Sequence, residues 1–92
     1  MDRDRLNDWL RATPRAWRWR YDEDYDRYEA VEVKDGALHF FAHSHVPGED
    51  GIYREATQSF DAFLRDGPLW RMPEPEHRAL WKHVAGLVRA GG

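Results

Sequence analysis

Apolar positions recur along this chain with two different periods, and the switches between them mark its elements. From Asp4 to Ala12, Leu6, Trp9 and Leu10 fall at helical spacing, Asp2 or Asp4 can cap the start, and Thr13-Pro14 closes the run. The spacing predicts a short amphipathic helix. From Arg15 to Tyr21 the period drops to two, with Trp17, Trp19 and Tyr21 on one side and Ala16, Arg18 and Arg20 on the other, which predicts a strand. The acidic stretch Asp22-Glu23-Asp24-Tyr25-Asp26 that follows has no apolar period and reads as a solvated connection.

The strongest local signal is Asp35-Gly36, flanked by Tyr28 to Lys34 and by Ala37 to His45. Asp-Gly supplies the two positive-φ residues of a type I′ turn, so the flanks are expected to pair as a hairpin. Counting outward sets Lys34 opposite Ala37, Val33 opposite Leu38, Glu32 opposite His39, Val31 opposite Phe40, Ala30 opposite Phe41 and Tyr28 opposite His43. Val31, Val33, Leu38, Phe40 and Ala42 then form an apolar face directed at the core. Tyr28, Glu32, His39, Phe41 and His43 form a polar and aromatic face on the other side.

Pro47-Gly48-Glu49-Asp50-Gly51 is turn chemistry, and Ile52 to Thr57 is read as one more strand returning beside the hairpin. Ser59 fits the N-cap of a helix carrying Phe60, Phe63 and Leu64, which Gly67 and Pro68 end. After Leu69, Trp70 and Pro73, a last helix opens at Glu74-Pro75-Glu76 and runs Leu80, Trp81, Val84, Leu87 and Val88 along one stripe towards Gly91-Gly92. The expected fold is α+β: a three- to four-stranded antiparallel sheet with an N-terminal helix and two C-terminal helices packed on one face. With 92 residues, 1–92 is read as a single small globular domain.

Composition sharpens this picture. Five Trp, four Tyr and four Phe let a short chain build a core from aromatic area, and the absence of cysteine removes disulfides, thiolate metal sites and thiol nucleophiles. The N-terminus is charged, and no apolar stretch approaches a membrane span, so a cytoplasmic protein with no membrane partner is expected. Arginine outnumbers lysine twelve to two, as in chains from GC-rich genomes. Residues 1–20 carry six Arg against three Asp, whereas 21–35 carry seven acids against two bases, within a net charge of −3. That balance argues against nucleic acid, whose phosphates demand a basic surface. Trp17-Arg18-Trp19-Arg20-Tyr21 interleaves rings and bases as single-strand platforms do, yet a period of two sends the rings and the arginines to opposite sides.

Three patterns bear on chemistry. In an extended strand His39 and His43 lie about 13 Å apart, while His43 and His45 lie about 6.6 Å apart and could share a metal with Asp26, Glu49 or Asp50 as a third ligand. No complete ligand set follows, so no metal, cofactor or catalytic residue is assigned. Asp22-x-Asp24-x-Asp26 opens like a calcium loop, but Arg27 stands where its glycine belongs and Val33 where its glutamate belongs. Ser44 and Ser59 have no base and orienter set out for nucleophilic work.

Trp, Tyr and Arg, the residues enriched at binding hot spots, fill 21 of the 92 positions. The expected function is therefore a non-enzymatic protein-interaction module, with a protein partner or a second copy bound through Tyr28, Glu32, His39, Phe41 and His43 together with the acidic Asp22, Glu23, Asp24 and Asp26. The alternative is a small metal-dependent or histidine-based enzyme centred on His43 and His45. Finally, Gln58-Ser59-Phe60-Asp61-Ala62-Phe63-Leu64 resembles the Ser-Phe-x-x-Phe-Leu helix start of a superfamily rich in toxin-neutralising immunity proteins. The resemblance covers seven residues. The module is read as a small bacterial or phage-type accessory protein that binds or inhibits its partner, and the resemblance implies an immunity-type role.

Overall fold

The computed structural model describes residues 3–13, 17–22, 27–44 and 51–91. In chain order they form α1 (Arg3–Ala12), β1 (Arg18–Asp22), β2 (Arg27–Lys34), β3 (Ala37–Ser44), β4 (Gly51–Ser59), α2 (Phe60–Asp66) and α3 (Glu74–Gly91). The strands make one antiparallel sheet in the order β1-β2-β3-β4, so every pair of chain neighbours is a pair of sheet neighbours. No helix among the described residues is long and apolar enough to cross a membrane.

The β2–β3 hairpin has the register counted from its turn, from Lys34 opposite Ala37 to Tyr28 opposite His43. Asp35 at φ 54° and Gly36 at φ 76° supply the paired left-handed residues that a two-residue connection between right-twisted strands requires. β4 is longer than its alternation suggests. It pairs with β3 from Gly51 to Ser59, with one irregularity between Ala42 and His43 that leaves Arg54 opposite Ala42 and Ile52 opposite His43.

No loop separates β4 from α2. Ser59 ends the strand in extended conformation (φ −68°, ψ 156°), and its Oγ accepts the Ala62 N–H at 3.1 Å, so one residue serves as last strand position and N-cap. Gly67 closes α2 with φ 90° and donates its N–H to Phe63 O at 2.9 Å. The segment beyond is tied back to β4 by the Gln58 amide. Its Nε2 donates to Gly67 O and its Oε1 accepts the Leu69 N–H, both at 2.9 Å.

The main core lies between the sheet and α2–α3. Trp19, Val31, Leu38, Phe40 and Ala42 from the sheet meet Phe63, Trp70, Met72, Leu80 and Val84, with Trp17, Val33, Ala56, Phe60 and Leu64 packed around them. Phe40 is its centre, edge-on to Trp19 at 6.3 Å between ring centroids and tilted against Trp70 at 5.7 Å. Each buried Leu, Val or Phe side chain contributes about 1.5–3 kcal/mol relative to exposure, which is how so short a chain holds together.

The expectation of three helices on one face is corrected. Two helices, α2 and α3, cover the face of Val31 and Phe40. The helical segment Arg3–Ala12 instead sends Trp9 to the opposite face, where it meets Phe41 edge-on at 5.3 Å and joins Tyr28 and Ala30 in a second cluster. A helix can bury its stripe against either side of a sheet. Here the ring of Trp9 finds its aromatic partner, Phe41, on the second face.

Candidate functional site

The face assigned to a partner carries Tyr28, Ala30, Glu32, His39, Phe41, His43, Glu55 and Thr57, as alternation and register require. Its aromatic half is closed. Tyr28 is 2% exposed, Phe41 6% and His43 1%, with the Tyr28 and His43 rings stacked at 5.4 Å and Phe41 edge-on to Tyr28 at 6.3 Å. These three side chains form a small core and are not offered to a partner as they stand. Glu32 and His39, directly opposite one another, are half-buried, and Thr57 beside His39 is exposed. Of the acidic residues, Asp22 ends β1 in register with Arg27, and Glu23, Asp24 and Asp26 lie outside the described residues.

Of the candidate metal pair, His43 is buried and stacked on Tyr28, while His45, with Asp26, Glu49 and Asp50, lies outside the described residues. Among the described residues no group of three or more His, Asp or Glu side chains is placed to hold a metal ion.

Sequence periodicity did not expose two further features. On the helical side, a cleft of about 550 Å³ is lined by Trp19, Arg71, Met72, Pro73, Glu74 and His77. It includes a guanidinium, a carboxylate and an imidazole, but no hydroxyl or thiol that could serve as a nucleophile. Glu74 Oε1 accepts from Arg78 at 2.9 Å across one helical turn, an exposed pair of little energetic weight. Arg54 reaches from β4 over the Trp70 ring at 4.4 Å.

The second feature is the far half of α3. Leu80 and Val84 are fully buried, whereas Trp81, Leu87 and Val88 are 42%, 41% and 38% exposed. At 3.6 residues per turn Leu87 and Val88 continue the stripe of Leu80 and Val84. The stripe thus runs on beyond the sheet and α2 that cover its first half. Trp81 lies along α2, its indole N–H donating to Leu64 O at 3.5 Å. After Glu76 the helix carries Arg78, Lys82 and Arg89 and no acid. The pattern that predicts an apolar stripe gives its direction but not how much of it is covered.

Compared with family models, with curated proteins and with solved structures, the chain matches none.

Proposed function

We propose that this chain is a non-enzymatic protein-interaction module that binds a protein partner through the outer half of α3. The observation that carries the reading is the apolar stripe of that helix, buried at Leu80 and Val84 and open at Leu87 and Val88. An amphipathic helix with anchors at i, i+3, i+4 and i+7 is suited to a hydrophobic groove on another protein. The cations Lys82 and Arg89 beside the stripe favour a groove rimmed by carboxylates. An inhibitor or immunity-type role is the narrower form of this reading, supported by the short resemblance at Gln58 to Leu64.

The test is capture of partners from a lysate of the source cell by the tagged chain, identified by mass spectrometry and repeated with Leu87→Asp/Val88→Asp. Both positions are exposed, so the variant should keep its fold by circular dichroism and lose the partner. Equal capture by both proteins would refute the assignment of α3.

A further inference from the structure

The sheet has two edges of different character. β1 is five residues long and its pairing with β2 shifts register between Trp19 and Asp22, which blunts that edge. β4 is nine residues long, contains no proline or lysine, and pairs with β3 on one side. Among the described residues no other backbone group hydrogen-bonds to its outer side. Its residues from Gly51 to Ser59 with a described burial are all exposed or half-buried, in contrast to β3, where six of the eight are buried. An open strand of this length is a template for another strand.

We infer that β4 pairs with β4 of a second copy, antiparallel, to join two four-stranded sheets into one. The inference is independent of the α3 surface. Self-pairing about a two-fold axis sets residues opposite one another symmetrically around a central position. Centring on Glu55 or on Arg54 puts like charges face to face, which antiparallel pairs avoid. Centring on Ala56 sets Glu55 opposite Thr57 and Arg54 opposite Gln58 of the second copy, with no like-charged pair and with the strand used up to Ser59. Because one good edge meets its own copy and the β1 edge is blunted, the contact closes as a dimer rather than growing into a fibre.

This register can be tested through Glu55 and Thr57, both exposed and outside the core. Sedimentation equilibrium of the full chain should give a mass approaching twice 10.9 kDa with rising concentration. Thr57→Lys places an ammonium opposite Glu55 at two equivalent points and should tighten the dimer several-fold. Glu55→Lys/Thr57→Lys sets lysines opposite one another and should dissociate it, with circular dichroism unchanged in both variants. A wild-type chain that stays monomeric at the highest concentration reached overturns the inference, as does an equal response to the two variants. A dimer broken by Leu87→Asp/Val88→Asp and untouched by the β4 variants also overturns it, while leaving the α3 surface in place.

Discussion

The guanidinium of Arg54 lies 4.4 Å from the centre of the Trp70 ring, and the same ring packs against Phe40 on the core side. Trp70 therefore seals the segment between α2 and α3 onto the sheet, with a cation on its outer side. Arg54→Ala should cost about 0.5–1 kcal/mol, the range of an exposed cation–π contact. Trp70→Ala should cost about 3–5 kcal/mol through lost core volume. Urea denaturation of both single variants and the double measures the coupling directly, and additive effects would show that the contact contributes nothing.

Gly36 has φ 76° with open space where a Cβ would stand, so an added side chain meets conformational strain rather than a clash. Gly36→Val should destabilise the protein by about 1–3 kcal/mol, the cost of holding a non-glycine residue in a sparsely populated region. Asp35→Asn should be tolerated, because asparagine adopts the left-handed region readily. Thermal unfolding followed by circular dichroism distinguishes the two, at roughly 4–8 °C per kcal/mol for a domain of this size.

Across the end of α2 the Gln58 amide gives a hydrogen bond to Gly67 O and takes one from the Leu69 N–H. Gln58→Glu keeps the acceptor for the Leu69 N–H but turns an oxygen towards Gly67 O. It should therefore lose about 1–3 kcal/mol, whereas Ser59→Ala, which removes the cap alone, should lose about 1 kcal/mol. Raising the pH from 4 towards 7 should deepen the Gln58→Glu loss as its carboxyl ionises. Guanidinium titrations across that range decide the point.

The Arg65 guanidinium donates from Nε and Nη2 to the Asp66 carboxylate at 3.0–3.2 Å, and this hydrogen bonding holds the Asp66 carboxyl below its ordinary range. A value lower in the folded chain than in the unfolded one contributes stability above the unfolded titration. That contribution is lost as pH falls through the folded value. Both side chains are solvent-exposed, so the effect on stability is small, and the observable is the titration itself. A carbon-detected NMR titration should place the Asp66 midpoint below the ordinary aspartate value and move it up in Arg65→Gln.

Much of this fold was legible where chemistry is local. Asp35-Gly36 specified both a turn and the register of seven cross-strand pairs, and Ser59 and Gly67 marked the ends of α2 because capping depends on neighbours three or four residues away. What stayed hidden depends on distant parts of the chain. Alternation separates Tyr28, Phe41 and His43 from Val31 and Phe40 but is silent on which side is covered, and Trp9, some twenty to thirty residues away, reaches their cluster through Phe41. Gln58 and Ser59 have weak strand preference and are extended because β3 pairs with them, a tertiary influence that local propensity does not contain. The burial of Tyr28 and Phe41 was hidden for the same reason: amphipathic rings suit a core as well as an interface.

The unbroken meander of strands also bears on how the molecule is made. With each strand hydrogen-bonded to the one before it, the sheet can grow by successive hairpins from Asp35-Gly36 outward, and no crossover has to close first. The β2–β3 ribbon is therefore expected to be structured in the folding transition state. Replacements there should slow refolding, while those at the end of α3 should leave its rate untouched.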